Sequence, residues 1–389
     1  MRHRRPHTEP LVQPIYQSTT FVLDDASYAD LLDNDGLGAV WYSRVRNPTV
    51  DAAAAAVAVL EGADDAVLTS SGMGAISTLI LTLCQAGDRV VAARELYGDS
   101  YELLARYLPR LGVEVDFVAA ADLDQWQAAL ARGPVRLAYA ETLSNPQLVL
   151  LDIPTLAEMA HKAGAIFAVD NTFASPRLVR PLTLGADVVV ESVTKFLNGH
   201  SDVVAGSIAA SEQLVNECRR SIMTFGASLD AHAGYLVGRA LKTFSVRLDR
   251  QMETAAVLAA YLEDSAAIER VIYPTLESYA RADVARRLLP TGRGGAMVSF
   301  VVTGGDQRAS TLMRALTVPA EATSLGGVES LISAPFNSSH YLMSPEERVE
   351  IGVEPGLLRL SVGLEEPGDL IADFAAALSK ITPAQAGSG

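Results

Sequence analysis

The sequence is poor in cysteine, with only Cys84 and Cys218 in 389 residues. Neither cysteine has another cysteine or a histidine nearby at the spacing of metal ligands. Cys84 lies in the apolar run 80–84, where a buried thiol is the ordinary interpretation. Both cysteines are therefore assigned structural roles, and no metal site is predicted.

Long apolar runs are also missing, since no uninterrupted stretch reaches the length that spans a bilayer. The basic run Arg2-His3-Arg4-Arg5 could begin a signal peptide, but the polar and proline-containing residues 6–10 follow it instead of an apolar segment. The sequence therefore predicts a protein without a membrane partner that resides in the cytoplasm.

Positively charged residues are also scarce in the sequence. Lysine and arginine total 31 against 46 aspartate and glutamate residues, which gives a net charge of −15. Because binding to nucleic-acid phosphates requires a basic surface, this balance disfavours a nucleic-acid partner.

Residues 1–50 contain several turn formers and little periodicity, which is unusual within a compact domain and suggests an arm lying against another subunit. From residue 51, short apolar strands alternate with helices. The predicted strands are 66–69, 89–92, 113–118, 135–140, 165–170 and 187–191. This alternation predicts a mostly parallel sheet covered on both faces, with functional residues at the carboxyl ends of the strands.

One long helix, from Ala231 to about Glu263, is predicted to lead out of this sheet. Beyond it, strands 296–302 and 357–362 mix with helices, which is typical of a smaller α+β unit. The predicted organisation is an N-terminal arm over 1–50, a large domain over 51–245 and a C-terminal α+β domain over 246–389.

A lysine follows the apolar strand that ends at Val190, in the tetrad Ser192-Val193-Thr194-Lys195. Burial lowers the pKa of a lysine, so a neutral amine becomes available for a Schiff base with a carbonyl cofactor. The hydroxyls of Ser192 and Thr194 suit phosphate oxygens. Ser-x-x-Lys also occurs in serine acylases, so the tetrad alone leaves a Schiff-base lysine, an acylase pair and a purely structural lysine open.

Asp170 ends another predicted strand and precedes Asn171 and Thr172. A buried carboxylate at such a position requires a cationic partner. The pyridinium nitrogen of pyridoxal 5′-phosphate (PLP) supplies one, and the ion pair keeps the ring an electron sink. A helix cap or turn aspartate is the competing interpretation of Asp170 alone. In combination with Lys195, Asp170 favours PLP.

Three further features are each ambiguous alone. The turn 70–74 joins a strand to a helix, where glycine and free amides can accept a phosphate, although such turns are common. Tyr97 can stack on a cofactor ring or belong to the core. Arg359 lies on an apolar strand, where it can bind a substrate carboxylate or form a structural ion pair.

In joint order and spacing, these motifs resemble the Cys/Met-metabolism PLP-dependent family, which includes cystathionine γ-lyase, cystathionine γ-synthase, methionine γ-lyase and cystathionine β-lyase. The resemblance covers nearly the whole chain from Pro14 to the last helix. The matching segments are 14–21, 42–44, 47–49, 71–73, 141–142, 144–146, 170–173, 185–187, 192–195, 199–202, 324–330 and 359–363.

The resemblance implies PLP fold type I, the aspartate-aminotransferase-like fold, usually as a tetramer of two tight dimers with the cofactor in the large domain. It implies that Lys195 holds PLP and shuttles protons, and that Tyr97 stacks on the ring and assists proton transfer. The residues that it implies at the cofactor are Tyr42, Arg44, Gly72, Met73, Tyr97, Asn145, Asp170, Thr172, Ser192, Thr194 and Lys195, with Tyr42 and Arg44 reaching the phosphate from the neighbouring subunit. Asn145, Ser324 and Arg359 are implied at the amino-acid substrate, with Arg359 on its carboxylate.

Three positions depart from subgroup patterns. Asp99 stands where methionine γ-lyases typically carry a cysteine, two residues after Tyr97. Thr323 stands where cystathionine γ-lyases and γ-synthases commonly carry a glutamate. Segment 324–327 lacks the tryptophan typical of cystathionine β-lyase.

The predicted function is γ-elimination of a sulfur amino acid of the L-cystathionine or L-methionine type, giving a 2-oxo acid, ammonia and a thiol. γ-Replacement, as in cystathionine γ-synthase or an O-acylhomoserine sulfhydrylase, is the alternative, because the two outcomes share every candidate residue. A PLP-holding scaffold without turnover is a third hypothesis, which the joint presence of Tyr42, Tyr97, Lys195 and Arg359 disfavours.

Overall fold

Two β-sheets organise the part of the chain that the computed structural model describes, residues 10–335 and 352–381. The first sheet has seven strands, in the order β1-β7-β6-β5-β4-β2-β3. In chain order these are β1 (Asp65–Thr69), β2 (Arg89–Ala93), β3 (Glu114–Val118), β4 (Leu137–Glu141), β5 (Ile166–Asp170), β6 (Val188–Glu191) and β7 (Gly206–Ala210). Only β7 runs against the common direction in this sheet, since it is antiparallel to both of its neighbours.

Helices precede, follow and in most cases separate these strands along the chain. They are α1 (Asp25–Asp33), α2 (Pro48–Glu61), α3 (Gly72–Leu83), α4 (Gly98–Glu102), α5 (Leu123–Ala131), α6 (Ile153–Lys162), α7 (Ser175–Leu178), α8 (Glu212–Phe225) and α9 (Ala231–Leu241). Every residue of β2, β4 and β6 is buried, as expected for parallel strands that are covered on both faces. The predicted mostly parallel α/β sheet is confirmed.

The second sheet has five strands, in the order β10-β11-β12-β9-β8. They are β8 (Ile268–Ile272), β9 (Met297–Val302), β10 (Ala320–Glu321), β11 (Leu331–Ser333) and β12 (Leu357–Ser361). The helices of this part are α10 (Phe244–Glu263), α11 (Ala282–Leu288), α12 (Gly305–Ala315) and α13 (Pro367–Ser379). Apart from the parallel pair β10 and β11, these strands pair antiparallel, which gives an α+β unit.

Helix α10 belongs to both hydrophobic cores. Phe244, Leu248 and Met252 pack in the core of the first sheet, and Leu258 and Leu262 pack in the core of the second. The predicted division after residue 245 falls at the start of this helix. The two sheets are therefore joined by one continuous helix that packs in both cores.

Two sequence-based expectations about elements were wrong. The single helix expected from Ala231 to about Glu263 is two helices, α9 and α10, because the chain leaves the helical path at Thr243, whose hydroxyl donates to the Ala240 carbonyl. Strand β7 was not predicted. Its sequence, Gly-Ser-Ile-Ala-Ala, is buried throughout and therefore lacks the alternation of polar and apolar residues that marks a half-exposed strand.

The described part of the N-terminal region extends over the surface of the chain. Its contacts include an internal bridge between Thr20 and Tyr42 and hydrogen bonds of Pro14 and Tyr16 with Thr49 at the start of α2. Leu11 and Val22 are fully exposed, and Leu32 is nearly so. Large apolar side chains in this region are thus left uncovered by the described residues of a single chain.

Candidate active site

A cavity of about 510 Å³ opens where β1, β2, β4, β5 and β6 end, a size within the range of ligand pockets. Its wall contains eleven of the thirteen site residues predicted from the sequence, namely Gly72, Met73, Tyr97, Asn145, Asp170, Thr172, Ser192, Thr194, Lys195, Ser324 and Arg359. Tyr42 and Arg44 are not in this wall. Instead, the Arg44 guanidinium lies 5.3 Å from the Tyr42 ring centroid and donates to the Met223 carbonyl.

Lys195 lies in the turn that follows β6, and its amine is directed into the cavity. Nζ donates to the Ser324 hydroxyl at 3.0 Å. Burial, followed by the positive charge of Arg359, lowers the pKa of the amine. A larger fraction of the amine is therefore neutral than in an exposed lysine. The neutral form suits both nucleophilic attack and proton transfer.

Helix α10 fixes the backbone around Lys195. Arg247, itself buried, donates to the carbonyls of Phe196 and Leu197 at 3.1 and 3.2 Å. One turn later, Gln251 donates to the Gly327 carbonyl at 2.7 Å. The lysine turn and the loop that carries Ser324 are thus held by two neighbouring side chains of one helix.

Asp170 ends β5 and is buried at the cavity wall. Its carboxylate accepts from the Thr172 backbone amide at 2.9 Å, and the Thr172 hydroxyl in turn accepts from the Ser192 amide at 2.8 Å. Burial raises the pKa of Asp170, while the hydrogen bonds from Thr172 oppose that change. No ion pair forms with Asp170 within residues 10–335 and 352–381. The site thus holds a buried carboxylate that an incoming cation would stabilise.

The turn between β1 and α3 forms a second polar wall. Ser71 caps α3 by accepting from the Gly74 amide at 2.9 Å. A Cβ at position 72 would lie 2.8 Å from the Ser192 Cβ, so only glycine permits this approach. The Thr194 hydroxyl faces the same cavity but already bonds both polar backbone atoms of Ala205. A helix N-terminus beside serine and threonine hydroxyls is well suited to a phosphate.

Tyr97 follows β2 and is held by two carboxyl groups. Its amide donates to Glu141 Oε1 at 2.5 Å, and its hydroxyl donates to Asp99 Oδ2 at 2.7 Å. Burial, followed by the hydrogen bond to Asp99, raises the pKa of the Tyr97 phenol to about 12. The phenol therefore remains protonated at ordinary pH and can serve as a proton donor.

Arg359 reaches the cavity from β12 of the second sheet. Its guanidinium donates to Asn145 Oδ1 at 2.9 Å and to the Thr323 carbonyl at 3.1 Å, and it lies 5.8 Å from the Phe173 ring centroid. All of these partners are neutral, and burial lowers the pKa of Arg359 to about 10. The sequence left a carboxylate-binding arginine and a structural ion pair open. The neutral partners favour the first, because the positive charge remains available to a ligand.

Glu141 and Asp99 also line the cavity, although neither is among the thirteen site residues predicted from the sequence. Glu141 could have been found, since it ends β4 as Asp170 ends β5. Burial and the neighbouring Asp170 raise the pKa of Glu141 well above its usual value. Asp99 was noted in the sequence only as a departure from the methionine γ-lyase pattern, because its position beside the Tyr97 hydroxyl depends on the turn into α4.

These features fit PLP in three respects. Lys195 supplies an amine for the aldehyde, Asp170 a buried carboxylate for the ring nitrogen, and the turn at Gly72 a cradle for the phosphate. Within the described ranges, no group of three or more histidine, cysteine, aspartate or glutamate side chains could hold a metal ion. The fold and the site together define a PLP-dependent enzyme of fold type I.

The chain belongs to the Cys/Met metabolism PLP-dependent enzyme family, whose model matches residues 1–379. An L-methionine gamma-lyase of Fusobacterium nucleatum is 40% identical, with 95% of this chain and 94% of that protein covered. An O-succinylhomoserine sulfhydrylase of Pseudomonas aeruginosa is 39% identical, with coverage of 87% and 84%. The cystathionine gamma synthase structure from Xanthomonas oryzae pv. oryzae, in complex with aminoacrylate and cysteine, has a TM-score of 0.89 at 35% identity, with coverage of 95% and 93%. The predicted family, fold type and cofactor are confirmed.

No helix in the described ranges is long and apolar enough to cross a membrane.

Proposed function

We propose that this enzyme catalyses γ-elimination of a sulfur amino acid of the L-methionine or L-cystathionine type, with water as the second reactant and a 2-oxo acid, ammonia and a thiol as products. The observation that carries the proposal is that a base and an acid, the Lys195 amine and the Tyr97 phenol, line the same cavity as Arg359, the candidate for binding the substrate carboxylate. The Lys195 amine has a lowered pKa and the Tyr97 phenol has a raised one. Relatives at 38–40% identity that are named L-methionine gamma-lyase support it.

The cofactor is proposed to be held at four places. Lys195 binds its aldehyde, Asp170 its ring nitrogen, and Tyr97 stacks on the ring. The phosphate and the surrounding ring substituents contact Gly72, Met73, Asn145, Thr172, Ser192 and Thr194. When bound, the cofactor supplies an electron sink for negative charge that develops on the substrate carbon skeleton.

Substrate orientation is assigned to Arg359, Asn145 and Ser324. The Arg359 guanidinium is proposed to bind the α-carboxylate with two parallel N–H groups. The Asn145 side-chain oxygen, which accepts a hydrogen bond from the guanidinium at 2.9 Å, holds it in place. Ser324, at 3.0 Å from Lys195 Nζ, keeps the amine directed toward the substrate. The α-carbon is thereby placed next to the base, which is the positioning that proton abstraction requires.

Proton transfers are divided between two side chains. Lys195 Nζ accepts the proton from the α-carbon and moves protons between neighbouring carbons. The Tyr97 hydroxyl donates a proton to the departing sulfur, which leaves as a neutral thiol. Glu141, through the Tyr97 amide, holds the tyrosine at the end of β2.

γ-Replacement is the second candidate. It uses the same residues but ends with a nucleophile added at the γ-carbon in place of the departing group. It is favoured by the sulfhydrylase relative and by the likeness to the cystathionine gamma synthase structure.

A substrate panel separates these functions. The purified holoenzyme is expected to release 2-oxobutyrate from L-methionine or L-cystathionine without added thiol, measured by 2-oxo acid derivatisation. An O-acylhomoserine should be tested with and without thiol. Product that forms only with an acylhomoserine and a thiol would favour replacement and would contradict the lyase proposal. Absence of turnover under every condition would favour a scaffold.

Subunit assembly is proposed to complete the site. The exposed apolar side chains of residues 11–32, and the position of Tyr42 and Arg44 outside their own cavity, support an arm that lies on a second copy of the chain. We infer a homotetramer of two tight dimers in the cytoplasm, in which Tyr42 and Arg44 reach the neighbouring phosphate site, with residues 1–50 as the arm, 51–245 as the cofactor domain and 246–389 as the C-terminal domain.

Mixed dimers test this arrangement. Lys195→Ala and Arg44→Ala chains, each of low activity, are to be unfolded together and refolded in equal amounts. If Arg44 acts on the partner, one cavity of each hybrid dimer is intact, and about a quarter of wild-type activity is expected. Light scattering should confirm assembly. Activity no greater than the sum of the two parents would contradict the proposal.

A further inference from the structure

Asp99 is the exposed acidic side chain in the wall of the cavity. The two other acidic side chains in that wall, Glu141 and Asp170, are buried and occupied by backbone hydrogen bonds. Asp99 instead receives the Tyr97 hydroxyl at 2.7 Å, and within residues 10–335 and 352–381 it forms no ion pair. A carboxylate is thus presented to the cavity with capacity for a further donor.

The position of Asp99 relative to a bound substrate follows from the roles given above. The α-carboxylate lies at Arg359 and the α-amino group lies toward Lys195, so these ends of the amino acid are fixed. In the role proposed for Tyr97, the departing sulfur lies next to its hydroxyl and receives the proton that this hydroxyl otherwise donates to Asp99. Because Asp99 Oδ2 lies 2.7 Å from this hydroxyl and lines the same cavity, a substituent carried on the sulfur is within reach of the Asp99 carboxylate.

We propose that Asp99 is a specificity-determining residue that binds a cationic group, such as a primary ammonium, on the thiol part of the substrate. This inference rests on the proposed function and narrows its substrate class to thioether amino acids with a distal cation.

Charge compensation is the physical basis. A substrate with an uncharged alkyl group on sulfur would remove water from the Asp99 carboxylate without offering a partner in exchange, which is unfavourable. A distal ammonium would replace that water with a charge-assisted hydrogen bond. The cations already in the wall, Lys195 and Arg359, are directed to Ser324 and Asn145 and are used by the other end of the substrate. Thr323, in the same wall, contributes no charge.

The test uses two substrates of nearly equal size that differ in charge, S-(2-aminoethyl)-L-homocysteine and S-propyl-L-homocysteine. For wild-type holoenzyme we expect kcat/KM to favour the aminoethyl compound by about tenfold, as for a charge-assisted hydrogen bond that is partly desolvated. Asp99→Asn is expected to reduce this ratio to near one. Asparagine retains an acceptor for the Tyr97 hydroxyl, and any effect through Tyr97 acts on both substrates and cancels in the ratio.

Glu102→Gln is the matched control. Glu102 is at the end of the same short helix and pairs with Arg106 at 3.0 Å on the surface, so the ratio should stay at its wild-type value. A wild-type enzyme without preference, or an Asp99→Asn enzyme with the wild-type preference, would overturn the inference. If neither compound yields a 2-oxo acid, and L-methionine and L-cystathionine yield none either, the proposed function fails. In that event calorimetric affinities of the two compounds for both holoenzymes still decide the role of Asp99.

Discussion

Replacement of Lys195 by alanine is expected to lower 2-oxo acid production by at least about a thousandfold, the range attributed to a positioned acid–base group. The lysine is the half-buried amine that faces the cavity, and Ser324, its hydrogen-bond partner at 3.0 Å, has no basic group to replace it. Rates should be measured with saturating substrate and added PLP, so that weak cofactor binding is not mistaken for slow chemistry.

The same variant tests covalent attachment. After borohydride reduction, the wild-type peptide that contains Lys195 is expected to carry the mass of the reduced cofactor, and the variant should carry none. Lys242→Ala is a suitable control because Lys242 is an exposed lysine at the end of α9, away from the cavity wall. A stable label at another lysine of the wild-type enzyme would remove the role assigned to Lys195.

Replacement of Asp170 by asparagine is expected to reduce kcat by at least about a hundredfold and to weaken PLP binding, because the amide keeps the size of the side chain but not its charge. Asparagine retains an oxygen for the Thr172 amide, so the local backbone should persist. The measurements are steady-state kinetics and titration of apoprotein with PLP. Asp122→Asn, at the N-cap of α5 and outside the cavity wall, is the control and should behave as wild type. Unchanged kcat in Asp170→Asn would exclude an ion pair with the ring nitrogen.

The pH dependence of apoprotein stability gives an independent test of the burial of Asp170. Burial raises its pKa in the folded chain, so the folded state holds the proton more tightly than the unfolded state does. Wild-type apoprotein therefore loses stability as pH rises from about 4 through that raised pKa. Asp170→Asn lacks this loss, so its apoprotein should unfold at a higher temperature than wild type at pH 8, with the difference shrinking toward pH 4. A lower unfolding temperature at pH 8 would contradict the assignment.

Much of the fold could be predicted because strong local signals coincide with the elements. Strands such as β4 and β6 are short apolar runs followed by polar residues, and the rule that sites lie at carboxyl ends of parallel strands placed Asp170 and Lys195 correctly in one cavity. Strand β7 carried no such signal, since small residues on both faces give no alternation. The break at Thr243 depends on hydrogen bonds to one turn of α9, which periodicity does not encode.

The parts of the site that local sequence patterns could not predict are contacts between distant segments. Lys195 and Ser324 are 129 residues apart in sequence, and Arg359 reaches Asn145 across 214 residues. Sequence spacing contains no distance of this kind, so resemblance to a family was needed to connect them. The role inferred for Asp99 depends on its hydrogen bond with the Tyr97 hydroxyl, and no local sequence pattern predicts that contact.

Helix α10 affects the order in which the enzyme loses activity and structure on heating or in denaturant. Arg247 and Gln251 on its first turns hold the lysine turn and the Ser324 loop, while Leu258 and Leu262 are anchored in the core of the second sheet. Loosening of the second sheet would therefore displace the backbone that aims Lys195 before the first sheet itself unfolds. Inactivation by heat or denaturant should accordingly accompany loss of the smaller core and precede unfolding of the first sheet, so that catalytic activity reports damage far from the cavity.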